Sequence, residues 1–406
     1  MLCLLLPIVG KANEIEHDIS GIVDVRLSYG DTIQSYVDGG LGKFRFSPNE
    51  TLSLGQLGGS LNSQWSESWS SHIVVNAYAD GLENNIGFTE ARLQYRDIPN
   101  EDGIRLSAAF GLMYPQISME NIATTWSSPY TLSYSTMNSW IGEEVRHLGA
   151  SFTVETLGKY RQSKHDFSLT SELISSNDTT GAMLAWHGWT QSSRQSLHQQ
   201  RLPITAIPAM AEGGKLAAQA PESNPFIELD NQVGGHVVAK WTWLEQGQAQ
   251  VGYYDNNANT LIVKKGQYVW HTRFSHIGTK WRLPYNIDFI SQFMTGSTLM
   301  TSTLGEPVVD NDFASFYSLF SKKWQRHRLT ARFEDFSVTD KDSTPYDDNN
   351  EQGHSITLGY QYQIERPWFL HLEYNYLDTT RSARVYLGES VDLQEQQVQL
   401  ATRYFF

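Results

Sequence analysis

Along most of this chain, apolar and polar side chains alternate residue by residue. Near the C-terminal end, Ile356, Leu358, Tyr360, Tyr362 and Ile364 share one face, and Thr357, Gly359, Gln361 and Gln363 share the other. Successive side chains of a β-strand point to opposite faces, so this period predicts strands with one apolar and one polar face. The same pattern recurs over 23–29, 91–96, 104–112 and 370–376. The sequence therefore predicts a long series of half-apolar strands.

The number of these strands decides between a soluble and a membrane protein. No stretch approaches the run of about 20 apolar residues that a spanning helix needs, and segments of helical period are almost absent. A soluble β-sandwich also alternates, but it does not need so many tall strands, and closure lets a sheet span lipid without unpaired edges. We therefore predict an all-β fold, a transmembrane antiparallel β-barrel. The 406 residues suit sixteen strands, with eighteen as the alternative, and leave no room for a separate plug domain.

The N-terminal residues form a short apolar run that ends in the small residues Gly10 and Ala12. This pattern predicts a signal peptide over 1–12 and a single barrel domain over 13–406, although the basic segment that usually begins such a signal is absent. A short buried apolar segment is the alternative. Cys3, the one cysteine of the sequence, lies in this run, so the mature chain would contain no disulfide.

The C-terminus alternates up to its last residue. Val398, Leu400, Thr402, Tyr404 and Phe406 share the apolar face. This ending resembles the signal by which outer-membrane barrels are recognised for insertion, and the matching positions are Gln399, Ala401, Tyr404 and Phe406. Ala401 departs from the more usual glycine, and an ordinary amphipathic edge strand is the alternative. The resemblance implies the barrel-assembly machinery as a partner.

The connections between strands fall into two classes. Tight turns are predicted near 246–247, 283–285, 323–325 and 366–367, and longer polar loops near 255–266, 298–312, 339–352 and 378–392. Short turns on one side and long loops on the other are typical of bacterial outer-membrane barrels, with the short turns in the periplasm. The alternation is interrupted over 190–231, where we predict a long irregular insertion.

A second long connection, 115–144, lies between two strong strands. It is too long for a simple connector and too apolar to extend into solvent. Folded into the barrel, it would bury its aromatic side chains against the wall and narrow the pore; a cap on the rim or a trimer contact is the alternative. The predicted constriction residues are Glu120, Asn121, Trp126, Tyr130, Tyr134, Trp140, Glu143 and Glu144.

The polar face of the predicted strands indicates which charges face the lumen. The predicted pore-lining residues are Asp24, Arg26, Lys43, Arg45, Arg92, Arg96, Arg105, Arg328, Arg332, Glu334 and Arg403, with Glu90 and Glu373 as further counter-charges. An excess of cationic side chains favours anions. Alternatively, these charges neutralise one another across the wall.

Residues 126–146 together with the strand pattern resemble the porin superfamily of 16-stranded channels, nearest the phosphate-selective group and its uncharacterised relatives. The resemblance implies a homotrimer of barrels, each narrowed by an inward loop. It also implies passive diffusion of small hydrophilic solutes. The dense arginine ladder and lysine cluster of phosphate channels are not evident.

Other classes of function find little support. The net charge of −14 argues against nucleic acid. No Gly-flanked serine and no paired histidine spacing indicates a catalytic or metal site, so we predict no enzyme activity, cofactor or metal. Isolated histidines suggest girdle or rim positions; they are His147, His187, His236, His276 and His354.

We therefore expect a channel in the bacterial outer membrane that contacts lipid and lipopolysaccharide and transports ions and small solutes. The alternative is a plugged barrel that acts as a scaffold or adhesin through its extracellular loops. An open lumen would favour the channel. A lumen filled by 115–144 and 190–231 would favour the scaffold.

Overall fold

The computed structural model of the protein describes residues 15–46 and 48–406. The predicted signal peptide over 1–12, with Cys3, lies outside the described residues. Sixteen strands form the wall of one closed barrel. Their bounds are β1 (Glu16–Asp31), β2 (Asn49–Gln64), β3 (Trp69–Ala77), β4 (Ile86–Arg96), β5 (Ile104–Met113), β6 (His147–Thr156), β7 (His165–Ser175), β10 (Gly234–Trp243), β11 (Gly247–Asp255), β14 (Trp270–Leu283), β15 (Ile287–Thr301), β16 (Pro307–Trp324), β17 (His327–Asp340), β18 (Glu351–Glu365), β19 (Trp368–Arg381) and β20 (Asp392–Phe405).

The remaining elements are short and lie in the connections. Two small ribbons pair β8 (Leu202–Pro203) with β9 (Glu222–Ser223) and β12 (Val263–Lys264) with β13 (Gln267–Tyr268). The helices are α1 (Thr136–Trp140) and α2 (Ala182–His187), with a π-helical turn at Ile141–Val145. Short 3₁₀ segments lie at Tyr36–Asp38, Thr124–Trp126, Gly158–Arg161, Pro208–Met210, Pro284–Asn286 and Ser382–Leu387. In residues 15–46 and 48–406 no helix has the length and apolarity to cross a membrane.

The barrel closes where its first and last strands meet. β1 pairs antiparallel with β2 on one side and with β20 on the other, where Ile22 lies opposite Phe405. Closure removes the unpaired edges that an open sheet would expose to lipid. The prediction of sixteen antiparallel strands is confirmed.

The strand faces follow the sequence alternation. Leu358 is 50% exposed on the outer face, whereas its neighbour Thr357 is 0% exposed on the inner face. Leu400 and Gln399 show the same contrast, at 49% and 2%. Further exposed apolar residues continue this outer face around the wall, including Val237, Val251, Ile277, Phe293, Leu329, Phe333, Ile356 and Leu372. Such a face suits lipid.

The connections divide between the two ends of the barrel. One end carries the short turns 65–68, 97–103, 157–164, 244–246, 284–286, 325–326 and 366–367. The other carries 32–48, 78–85, 114–146, 176–233, 256–269, 302–306, 341–350 and 382–391. The predicted loop at 298–312 is shorter, because β15 and β16 extend to 301 and from 307. The irregular insertion begins at 176 rather than at 190, because β7 ends at Ser175.

The largest group of contacting buried apolar side chains lies inside the barrel. It joins loop residues to inward-facing wall residues, and its members are Phe44, Tyr114, Ile117, Met137, Trp140, Ile141, Val145, Ile174, Leu184, Trp189, Tyr254, Phe274, Met294, Phe313, Phe336, Val338 and Leu377. The centre of the barrel is therefore packed by side chains of the inward loops.

Candidate functional site: the barrel lumen

The loop 114–146 folds into the barrel, so the predicted inward loop is confirmed. Its Trp140 packs against two wall aromatics, with ring centroids 5.6 Å from Phe274 and 5.2 Å from Phe313. Nearer the start of the loop, Tyr114 stacks on Trp126 at 4.5 Å. Large rings in edge or offset contact bury much apolar area, so the Trp140 contacts hold the loop against the wall and the Tyr114–Trp126 stack stabilises the loop itself.

Arg332 of β17 is the main polar attachment of this loop. Its guanidinium forms ion pairs with Glu120 of the loop at 2.7 Å and with Glu334 of the same strand at 2.8 Å. It also donates to the backbone oxygens of Ser133 and Tyr134, each at 2.9 Å. All three charged side chains are fully buried. Because buried ion pairs with additional hydrogen bonds require exact geometry, Arg332 determines where this part of the loop lies.

A second attachment lies on the first strand and the last two strands of the wall. Glu373 of β19 accepts hydrogen bonds from the backbone N–H groups of Leu132 and Ser133, at 2.5 and 2.9 Å. Asp24 pairs with both Arg26 at 2.8 Å and Arg403 at 2.6 Å. Arg26 and Arg403 then donate to loop carbonyl oxygens. These wall charges contact the loop rather than bulk water.

The long connection 176–233 also enters the lumen and packs on the first loop. Glu144 joins the two loops, because its carboxylate accepts from the backbone N–H groups of Gly181 at 3.0 Å and Met183 at 2.8 Å. It accepts at the N-terminal end of α2 and also binds the indole N–H of Trp140 at 2.7 Å. Burial raises the pKa of Glu144 to about 7. Burial likewise raises the pKa of Glu143 to about 8; nearby Arg194 opposes the shift and Glu144 adds to it.

A third inward segment, 32–46, carries two of the predicted pore-lining cations. Lys43 pairs with Glu351 at 2.5 Å, and Arg45 pairs with Asp80 at 3.2 Å. The prediction that Lys43 and Arg45 lie on a strand wall is wrong. The chain leaves the sheet after Asp31, so the alternation in this stretch does not report a strand.

The packed region extends through the half of the lumen nearest the long loops. Many inward-facing wall residues there are at most 3% exposed, among them Thr298, Phe313, Ser355, Asn375 and Gln397. Water in an open pore would leave such side chains accessible. In the described conformation the loops 114–146 and 176–233 therefore fill this half.

The half nearest the short turns contains a vestibule. One cavity of about 380 Å³ is lined by Arg92, Arg96, Ser107, Glu155, Glu172 and Lys240, among others. A second cavity, of about 440 Å³, shares Arg92, Tyr114 and Gln116 with the first. Tyr114 and Gln116 begin the inward loop, so the vestibule ends at that loop.

The charges of the vestibule are only partly compensated. Arg92 pairs with Glu90, and Arg105 pairs with Glu155 at 2.7 Å. Arg96 and Lys240 form no ion pair with any described residue. Cations thus exceed the acids available to neutralise them.

The remaining predicted site residues fall into clear positions. Arg328 faces the lumen and lies 3.8 Å from Asp288. Asn121, Tyr130 and Tyr134 are buried in the inward loop. In the proposed insertion signal, Gln399 and Ala401 point inward and are buried, whereas Tyr404 and Phe406 are exposed on the outer face. Important partners that the sequence did not single out are Asp80, Arg194, Glu351 and Arg381.

The histidine prediction requires correction. His147, His187, His236 and His276 are buried inside the protein rather than placed at a girdle or rim. His236 bonds Glu172 through Nδ1 at 2.6 Å and His276 through Nε2 at 2.9 Å. Pairing of β7 with β10 places Glu172 opposite His236. The sequence separation of 64 residues offers no signal for this contact.

One group of three acidic residues could surround a cation. Carboxylate oxygens of Asp178, Glu228 and Asp230 lie within 4.8 Å of one another, the one such group in 15–46 and 48–406. These carboxylates accept hydrogen bonds from loop N–H groups, including those of Leu229 and Ser176. Their proximity is therefore accounted for by the folding of the loop.

The closed wall, the apolar outer face and the inward loop define a transmembrane β-barrel with the fold of outer-membrane porins. No family model matches the chain, and no curated protein matches it in sequence. Among solved structures it is similar to the outer-membrane channel DcaP of Acinetobacter baumannii, with 12% identity, 98% of this chain and 100% of that chain covered, and a TM-score of 0.57.

Two further solved structures show the same similarity. The anion-selective porin from Comamonas acidovorans is 12% identical, with 97% and 100% of the two chains covered and a TM-score of 0.53. The trimer form of OmpT from Vibrio cholerae is 10% identical, with 97% and 100% covered and a TM-score of 0.52. At these identities the similarity is one of fold.

Proposed function

We propose that this protein is a porin-like channel for passive diffusion of small hydrophilic solutes, restricted by the inward loop 115–144. The observation that carries the proposal is the polar, charged vestibule that ends at this loop. Solute entering from the short-turn end would meet Tyr114 and Gln116 first. Passage then depends on displacement of the loops packed above them.

We assign the channel a preference for anions. Arg96 and Lys240 line the vestibule without forming an ion pair, and cationic linings favour anions. By contrast, Glu120 is neutralised by Arg332, and Glu144 accepts three hydrogen bonds, so neither presents free negative charge. A solved structure of the same fold is named an anion-selective porin.

Three further features belong to the proposal. The apolar outer face would contact outer-membrane lipid and lipopolysaccharide, and the C-terminal signal would engage the assembly machinery. We place the barrel in a homotrimer, as the sequence resemblance implies; OmpT of similar fold is described in a trimer form.

The second candidate is a plugged barrel that serves as a scaffold or adhesin. A specific observation favours it: 114–146 and 176–233 fill one half of the lumen, and the inward wall residues there are buried. On this alternative the barrel does not conduct. Its long loops would then bind a partner.

Planar-bilayer recording distinguishes the two candidates. Residues 126–140 are replaced by a short Gly-Ser linker, and folding is checked by heat-modifiable migration. For a channel, we expect a small conductance in the wild type and a larger one in the deletion variant, with an anion-preferring reversal potential in asymmetric salt. Removal of the largely exposed residues 211–215 is the matched control and should leave conductance unchanged.

The outcomes separate clearly. A folded deletion variant that conducts like a conducting wild type would show that the restriction lies elsewhere. A wild type and a deletion variant that both fail to conduct would support the scaffold. Cation preference in the wild type would refute the selectivity assigned to Arg96 and Lys240.

A further inference from the structure

The buried arginines of this protein almost all have carboxylate partners. In the part of the chain that the structure describes, eight arginines are at most 3% exposed. Seven of them form ion pairs with Asp24, Asp80, Glu120, Glu334, Glu351 or Glu395; they are Arg26, Arg45, Arg194, Arg332, Arg381, Arg384 and Arg403. Arg146, which is 0% exposed, forms none. It joins the inward loop to β6.

Two neighbouring donors of Arg146 lack an acceptor. Its Nη1 donates to the hydroxyl of Tyr114 at 3.1 Å. Its Nε and Nη2, both buried, donate to no described residue. These two N–H groups point in parallel along one edge of the guanidinium, the arrangement that binds two oxygens of a carboxylate or phosphate together.

Arg26 shows how the same edge is used elsewhere in this lumen. Its Nε and Nη2 donate to the two carboxylate oxygens of Asp24, at 2.9 and 2.8 Å. Arg45, Arg381 and Arg384 each have an Nε without an acceptor, but their terminal nitrogens pair with carboxylates. In Arg146 the whole edge has no protein acceptor.

The surroundings of Arg146 offer partial compensation without negative charge. The guanidinium lies 4.1 Å from the ring centre of Phe226 and 5.5 Å from that of Tyr114. Cation–π contacts of this kind favour a buried cation but leave its N–H groups unbonded. On its other side, Phe226 stacks on the exposed His198, with ring centroids 6.4 Å apart. Phe226 therefore lies between the buried Arg146 and the exposed His198, so one aromatic side chain separates the arginine from an exposed residue.

A buried guanidinium with two free parallel donors is unfavourable unless an acceptor binds there. We propose that Arg146 binds a small oxyanion, through two oxygens of a carboxylate or phosphate group, at the junction of the inward loop and β6. This site goes beyond the proposed channel, because it would bind its anion whether or not the barrel conducts.

The test measures anion binding on the full-length refolded barrel, without recording current. The thermal unfolding midpoint is followed while sodium phosphate or sodium acetate replaces sodium chloride at constant ionic strength. We expect a saturable rise in the midpoint with either oxyanion, at concentrations about tenfold below those at which chloride acts, because an oxyanion offers one oxygen to each parallel donor, whereas a single chloride shares both donors at less linear angles.

Variants locate the effect. Arg146→Gln should abolish the saturable rise, and Arg146→Lys should greatly weaken it, because an ammonium is a point charge without the parallel edge. Arg273→Gln, at an exposed position on β14, is the matched control and should retain the wild-type response.

The proposal is overturned by a wild type whose midpoint shows no saturable response to phosphate or acetate, whatever the variants do. It is also overturned if Arg146→Gln folds and keeps the full response, since the oxyanion would then bind elsewhere. Oxyanion binding that depends on Arg146 in a barrel that never conducts would support this site and refute the channel.

Discussion

Arg332 is the side chain whose loss should most loosen the inward loop. The change Arg332→Met keeps similar volume but leaves Glu120 and Glu334 buried without their cation. It also removes the hydrogen bonds to Ser133 and Tyr134. Removing one partner of a buried ion pair typically costs about 3–5 kcal/mol, much of it from the charge left unpaired. We expect the free energy of unfolding to fall by that amount.

The matched control is Arg328→Met, on the same strand and the same face. Arg328 lies 3.8 Å from Asp288, a longer and partly hydrated ion pair, and contacts the inward loop only through the ring of Tyr130 at 5.2 Å. Its ion pair should therefore contribute about 1 kcal/mol or less. Urea unfolding in lipid vesicles, followed by tryptophan fluorescence, measures both variants.

A double-mutant cycle with Glu120→Gln isolates the contact between loop and wall. If Arg332 acts through Glu120, the two changes should be less than additive, with a coupling of about 0.5–3 kcal/mol. Equal destabilisation by Arg332→Met and Arg328→Met would refute this reasoning. Strict additivity in the cycle would show that Arg332 stabilises the barrel without holding the loop.

Three other predictions follow from the lipid face, the C-terminus and the buried acids. Leu358→Arg should destabilise the barrel by about 2–4 kcal/mol if it lies near the bilayer midplane, far more than Gln361→Arg on the lumen face; equal urea midpoints would mean that the faces are misassigned. Deletion of Phe406 should block outer-membrane assembly, because its ring belongs to the proposed insertion signal. Its backbone N–H and C=O also form hydrogen bonds with Gly21, at 3.1 and 2.8 Å. Normal levels of heat-modifiable barrel would contradict this. Burial raises the pKa of Glu143 from 4.5 to about 8, so the fold favours its protonated form. The resulting stability is fully present below pH 4.5 and is lost as the pH rises to about 8. Glu143→Gln should flatten that part of the stability–pH profile in urea titrations, and an unchanged profile would show that another group titrates.

The strand faces, the inward loop and the C-terminal ending can be read from the sequence because each depends on local spacing. A side chain two residues along a strand lies on the same face, so local spacing alone places Leu358 and Leu400 on the lipid face. Similarly, the length of 115–144 and its aromatic content indicate that its aromatic side chains need a wall to pack against. Sixteen strands followed from chain length and from the even number expected of such barrels.

The contacts inside the lumen depended on tertiary structure. Glu120 and Arg332 are 212 residues apart, and no local pattern indicates that they meet. His236 meets His276 across β11, the strand that lies between theirs. Lys43 lies off the wall because its segment turns into the lumen. Closure of the sheet brings these distant residues together, and packing within the closed wall then decides which charges are paired. For that reason the sequence by itself determined the barrel and its two faces. Only the tertiary structure decided how the lumen is filled. It also decided that, among the buried arginines of the described chain, Arg146 alone has no acidic partner.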